Sequence, residues 1–461
     1  MEVFSESLAY AQLKKRSVAA RSFRVKIPPT NGTTFVADNT IQLDLAGNLA
    51  GQYYDFSSMY LKVKVTNTGA YDLDRCGALG FVKRLQISTA GAQICDINNW
   101  NVLATAMLDT DASCEWKAGY GNILLGTQGD ALRGVTVGAA GSRVYCIPLV
   151  LNPMFNTTPH RLIPAFSLSS IQIRLTLDSA ASAVKAAVNP ALVFTECELV
   201  CMMTELSPAA QAQVDAATAG KYNILASSFM NSQSSIAENA TQLTANLGYS
   251  VSSLERIIAV HRPSGTVALQ TAYSLGNRTT AGLAQFQYLI ASESYPARPV
   301  VVDSVGAEST AEMLIADHSL VNFTKASGLS NGTVQSIVGT AAPLVGALSG
   351  IAPNKAKSAC FTATTLVATG GTQAGDASLA DAANSISNIG TFLCATDFEN
   401  GLSVGKSATI YSGISTIASN VQWLGTYAAI LAGGVSVDWF AQFSVLMSLD
   451  MRGAGVWSVS V

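Results

Sequence analysis

Two strand-rich stretches flank one well-punctuated helix, and that arrangement constrains the chain more than any other feature. The helix signal runs from Ser207 to Gly220. Ser207 suits the N-cap, where its hydroxyl can accept from a free backbone N–H. Pro208 suits the first helical position, and Gly220 can take the left-handed conformation that ends a helix. On both sides the pattern changes to period-two alternation. In Ser170–Leu177, Ile171, Ile173, Leu175 and Leu177 alternate with Gln172, Arg174 and Thr176, as in a half-buried strand. The segments Phe23–Ile27, Tyr60–Val65, Phe81–Ser88, Ile94–Ile97, Arg143–Leu149 and Leu192–Met202 read alike before the helix. After it come Ser253–Val260, Ala284–Ile290, Ile417–Leu431, Val435–Asp450 and Val456–Val461.

About eight strands on each side fit two Greek-key sandwiches of the jelly-roll type. The expected fold is therefore all-β: two consecutive jelly rolls with a short linker helix and a short N-terminal arm. The boundaries are 1–26 for the arm, 27–206 for the first jelly roll, 207–220 for the linker helix and 221–461 for the second jelly roll with long loops. Residues 2–16 are compatible with a short helix carrying Val3, Phe4, Leu8 and Ala11 on one side. Ser309–Glu312 forms a capping-box pattern that predicts a helix over about 310–320. Residues 107–142 and 325–390, rich in small residues, read as long loops.

Only 12% of the 461 residues are charged, against 49% hydrophobic. So few charges suit a chain that hides much of its surface in contacts with other chains. The net charge of −3 is unevenly spread. Residues 1–30 carry Lys14, Lys15, Arg16, Arg21, Arg24 and Lys26 against Glu2 and Glu6, a net +4, which leaves −7 for the rest. A basic arm on an acidic body points to an anionic contact. The start of the chain lacks the apolar core of a secretory signal. The apolar run Leu424–Val435 is too short for a bilayer span. The eight cysteines form no Cys-x-x-Cys pair and read as reduced core residues, with Cys197 and Cys201 on one strand face.

Four stretches, in order, resemble the double jelly-roll major capsid proteins of icosahedral double-stranded DNA viruses. They are Tyr60–Val65 followed by Gly80–Ile94, then Tyr145–Leu149 through Pro153–Phe155 to His160–Pro164, then Phe286–Val300, and finally Tyr411–Thr416 leading to the last strand pair. The resemblance implies a homotrimer with a pseudo-hexagonal outline that tiles an icosahedral shell in the virion. Its partners would be neighbouring capsomers, penton and minor capsid proteins. The basic residues Lys14, Lys15, Arg16, Arg21, Arg24 and Lys26 would face an internal membrane, the genome or a minor protein. Two other architectures fit less well: a single jelly-roll capsid protein with a projecting β-domain, and a carbohydrate-binding viral fibre or lectin. For the latter, Trp100, Trp116, Trp423, Trp439 and Trp457 are scattered in sequence.

Motifs for catalysis fall short, so no enzyme activity and no cofactor are expected. Gly328–Gly332 and Gly401–Gly405 match Gly-x-Ser-x-Gly, but no histidine follows His318 to complete a triad in that order. Gly401–Ser407 misses the phosphate-loop pattern at Asn400. His160, His261 and His318 stand alone, which gives no metal-ligand spacing. Asp72-Leu-Asp74 and Asp109-Thr-Asp111 each place two carboxylates two apart, and both read as solvated loop. The six Asn-x-Ser/Thr triplets, at Asn31, Asn156, Asn239, Asn277, Asn322 and Asn331, read as unmodified.

Overall fold

The computed structural model describes residues 20–89, 92–113, 116–127, 133–157, 160–168, 170–280, 282–302, 307–320, 392–399, 413–427, 434–451 and 455–461. Before the central helix the strands are β1 (Ala20–Ile27), β2 (Thr34–Val36), β3 (Thr40–Leu45), β4 (Gln52–Thr66), β5 (Tyr71–Asp74), β6 (Val82–Ser88), β7 (Gln93–Ile97), β8 (Arg133–Val137), β9 (Ser142–Pro148), β10 (Ile163–Pro164), β11 (Ile171–Leu177), β12 (Val184–Lys185) and β13 (Val193–Leu206). After it come β14 (Lys221–Ile236), β15 (Gln242–Asn246), β16 (Leu254–Pro263), β17 (Leu283–Ile290), β18 (Glu293–Val301), β19 (Cys394–Asp397), β20 (Val421–Tyr427), β21 (Val435–Asp450) and β22 (Trp457–Ser460). The longer helices are α1 (Trp100–Asp111), α2 (Pro208–Thr218) and α3 (Ala307–Ala316).

The first half has one sheet of order β1-β13-β4-β10, with β2 also on β13 and β9 also on β4. It faces a second sheet, β3-β11-β6-β7, and a small β12-β5-β8 sheet. In the second half, β14-β21-β16-β19 with β22 on β21 faces β15-β20-β17-β18. No strand of one half joins a sheet of the other among the described residues. The named strand pairs are all antiparallel, as in β11, whose Ile173 stands opposite Leu43 on one side and Ile87 on the other.

Alternation decides which face is buried. In β4, Leu61, Val63 and Val65 are buried, while Lys62 and Lys64 point outward. The longest pair is β14 with β21, in register from Lys221 opposite Asp450 to Ile236 opposite Val435. Three of the scattered tryptophans, Trp423, Trp439 and Trp457, are buried in the second half. Trp423 stacks on Phe286 with centroids 5.0 Å apart and meets Tyr288 edge-on at 5.1 Å, geometries that aromatic quadrupoles favour. These rings fill a core rather than present a sugar-binding surface.

The α2 signals are used as the sequence reads. Ser207 Oγ accepts from Ala210 N at 3.3 Å, Pro208 takes the first helical position, and the left-handed residues Ala219 and Gly220 end the helix.

Several expectations need correction. Residues 20–26, assigned to the arm, form β1, because each residue from Ala20 to Ile27 pairs with β13. The stretch 107–142 is not one loop. Its start belongs to α1, followed by helical turns at Lys117–Gly121 and Asn122–Leu125 and by strand β8. The predicted helix at 310–320 is α3, but Ser309 lies inside it rather than at its cap. Of the strand expected over Ile417–Leu431, the described residues give β20 from Val421, and 428–431 lie outside them. The possible helix at 2–16, the region 325–390 and both Gly-x-Ser-x-Gly motifs lie outside the described residues.

Candidate functional site

The two sandwiches meet along a buried seam, and α1 is its spacer. The helix starts after Asn99, which holds a left-handed conformation at φ 50°. All of Trp100–Met107 is buried, together with Asp109 and Thr110. A helix covered on every side carries no amphipathic stripe. Trp100 Nε1 donates to Val150 O at 3.1 Å, and Asn101 Nδ2 donates to Asp178 Oδ2 at 2.6 Å.

In the last turn of α1, Asp109 sits in a cage of three cations. Lys117 Nζ lies 2.6 Å from Oδ1, Arg278 Nη2 2.7 Å from Oδ2, and Arg75 Nε 3.5 Å from Oδ2. All four side chains are at most 7% exposed. Burial alone would raise the Asp109 carboxyl, but Arg75, Lys117 and Arg278 outweigh it and hold the group well below the usual carboxylate range. Desolvation pulls the Arg278 guanidinium down to about 10, with Asp109 opposing. The cage also offsets the unfavourable position of a carboxylate near a helix C-terminus.

Arg278 comes from the second half, so this cage ties the halves together. Its Nε donates to Phe392 O at 2.9 Å. Beside it, Asp74 Oδ2 accepts from the backbone N–H groups of Leu275 and Gly276, each at 2.9 Å. Burial raises the Asp74 carboxyl despite these bonds. Arg75 Nη2 donates to Gly276 O. A Cβ on Gly276 would fall 2.3 Å from Asp74 Oδ1, so this approach requires glycine. A second link, partly buried, joins Asn99 Nδ2 to Asp438 Oδ1 at 2.8 Å, while Arg262 Nη2 holds Oδ2 at 2.7 Å. Backbone bonds add Ala186 N to Gln270 O at 2.7 Å and Leu168 N to Gly455 O at 2.9 Å.

At one end of the seam α2 is pinned to both halves. Tyr53 OH donates to Gln211 Oε1 at 2.8 Å, Gln211 Nε2 donates to Asp215 Oδ1 at 2.8 Å, and Tyr222 OH donates to the same Asp215 oxygen.

A cleft of about 390 Å³ opens elsewhere between the halves, lined by Asp111, Asn156 and Thr157 on one side and by Glu255, Arg256, Asp317, His318, Asp397 and Glu399 on the other. Several of its charged groups have protein partners. Arg256 Nη1 meets Asp317 Oδ1 at 3.1 Å, and Glu255 accepts from Ser227, Gln442 and Ser444. His318 Nε2 lies 3.5 Å from Glu399 Oε2, and its bond to Glu399 raises its titration. These groups bind parts of the protein together.

Of the six basic residues singled out in the sequence, Lys14, Lys15 and Arg16 lie outside the described residues. Arg21, Arg24 and Lys26 fall on β1. Arg21 Nε pairs with Glu205 Oε2 at 2.6 Å, and Lys26 Nζ with Glu198 Oε2 at 3.2 Å. Arg24 and Lys26 are exposed on the outward face of the sheet that carries Lys62 and Lys64. His160 lies 3.4 Å from Asp55, and His261 is fully buried, so the structure does not bring the three histidines together as one site. Asp109, read as solvated loop, is instead the centre of the cage.

Sequence reasoning missed the seam, although it left a trace. Arg278 is the only charged residue between Arg262 and Glu293, and Asp438 the only one between Lys406 and Asp450. A lone charge in so long an uncharged stretch is a candidate for a buried, paired group.

No protein-family model matches the sequence. A search of curated proteins also finds no match. Solved structures do match over nearly the whole chain. PBCV-1 VP54 aligns with a TM-score of 0.58 at 9% identity, covering 98% of this chain and 99% of that one. The mavirus major capsid protein aligns with a TM-score of 0.55 at 12% identity, covering 100% and 96%. The Faustovirus major capsid protein aligns with a TM-score of 0.56 at 9% identity, covering 95% and 92%. Two sandwiches in tandem, joined by a capped helix and closed on a buried ionic seam, give this chain the double jelly-roll fold shared with these viral major capsid proteins.

Proposed function

We propose that the chain is a structural major capsid protein, located in the virion, that assembles as a homotrimer and tiles an icosahedral shell. The observation that carries this reading is the end-to-end match to double jelly-roll capsid proteins, in which both sandwiches are included. The seam supports it physically. Buried ion pairs tolerate little change in geometry, so the two sandwiches act as one block. Three such blocks around a threefold axis present six similar lobes, a shape that packs in a hexagonal array, and cyclic closure covers exposed sheet edges between subunits. The contacts in this reading are neighbouring capsomers, penton and minor capsid proteins. The basic residues Lys14, Lys15, Arg16, Arg21, Arg24 and Lys26 would face an internal membrane, the genome or a minor capsid protein. In this reading the role is structural rather than enzymatic.

Light scattering on the purified chain tests the assembly. The reading predicts a stable particle of 144 kDa, three chains of 48.0 kDa, or larger multiples of it. A 48.0 kDa monomer at micromolar concentration contradicts it.

A further inference from the structure

We propose that the first residues of this same chain, centred on Phe4 and Leu8, occupy a groove beside α2 at the end of the seam. The groove encloses about 430 Å³, a size suited to a few large side chains. Its apolar walls are Tyr53, Leu162, Pro164, Leu206, Val214 and Ile224. Leu162 is 37% exposed there, so apolar surface is left facing water at this point. Arg161 and Lys221 stand in the lining beside these walls, which gives the groove a positive margin, partly offset where Lys221 meets Asp450 at 3.6 Å.

The chain enters β1 at this place. Ala20, its first paired residue, stands opposite Leu206, a groove wall. Nineteen residues precede it. Crossing from β1 over β13 and β4 to β10 takes three strand spacings, about 14 Å. Residues 14–19, extended, reach up to about 20 Å. Residues 1–13 can therefore lie over the groove without help from another molecule. Their apolar residues include Val3, Phe4 and Leu8, and their only charges are Glu2 and Glu6, opposite in sign to Arg161 and Lys221. A tether this short holds the segment at an effective concentration in the millimolar range, which favours the same chain over a second copy.

Two measurements on the full-length chain decide this. In the first, Phe4→Cys is combined with Val214→Cys, and mild oxidation is followed by mass spectrometry of non-reduced peptides. A disulfide between the two introduced cysteines within one chain supports the proposal. A disulfide between chains assigns the groove to a second copy and overturns it, as does no disulfide. In the second, amide exchange of residues 2–13 is compared with that in Leu162→Asp, a change at an exposed position. The proposal expects exchange at least about tenfold faster in the variant. Equal exchange in both overturns it, and near-ultraviolet circular dichroism shows that the variant remains folded.

Discussion

Replacing Asp109 with alanine is expected to cost about 3–5 kcal/mol of stability, the range for removing one partner of a buried ion pair. The loss is large because three cations depend on this one carboxylate. Lys117, Arg278 and Arg75 are nearly inaccessible to water, so without Asp109 they repel one another in a medium that screens poorly. Asp74 cannot replace it, since its Oδ2 is bound to the N–H groups of Leu275 and Gly276. Asp109→Asn keeps the shape and removes the charge, and it is expected to fall in the same range. Glu205→Ala serves as the control. Its partner Arg21 is 74% exposed, and a surface pair of this kind contributes about 0–1 kcal/mol. Urea unfolding of the three variants beside the parent chain checks the contrast. Equal midpoints for Asp109→Ala and Glu205→Ala would mean that the cage does not hold the seam.

Acid is expected to weaken the second sandwich through His261. The ring is fully buried, packs near Phe392 and Trp423, and shares a bond of 3.2 Å with Tyr427 OH. Desolvation drives its pKa down to about 3, whereas an unfolded histidine titrates near 6.5. Between those values the unfolded chain binds a proton that the folded chain refuses. Stability therefore falls as pH drops through 6.5, by about 1.4 kcal/mol per pH unit, until the folded ring itself protonates near pH 3. His261→Gln keeps a polar partner for Tyr427 and removes the titration. The stability difference between parent and variant should shift by that slope between pH 6 and pH 4, in the variant's favour. Asp74 and Asp178, whose pKa values burial raises, act in the opposite direction but equally in both proteins, so they cancel. A difference independent of pH would show that His261 is hydrated or already charged in the folded chain.

The strands and the central helix were legible because their signals are local. Ile171–Leu177 alternates without a break, and Ser207, Pro208 and Gly220 each have a backbone role that the residue type reveals. What stayed hidden depends on contacts between distant segments. Helix α1 carries no polar face because it is surrounded, so its sequence has no period to read. Asp109 looks like one half of a loop pair until Arg75 and Arg278, far away in the chain, are brought to it. The extent of β1 was missed for a related reason. Arg21, Arg24 and Lys26 look like an arm by charge. The alternation of Phe23–Ile27 reads as a strand, but only pairing with β13 carries that strand back to Ala20 and includes Arg21.

Electron cryomicroscopy of the purified chain tests most directly whether this molecule is a shell subunit. The proposed role predicts particles with threefold symmetry and six sandwich-sized lobes, each protomer adding two lobes in fixed orientation. Isolated two-lobed protomers, or particles whose lobes vary in angle, would contradict it.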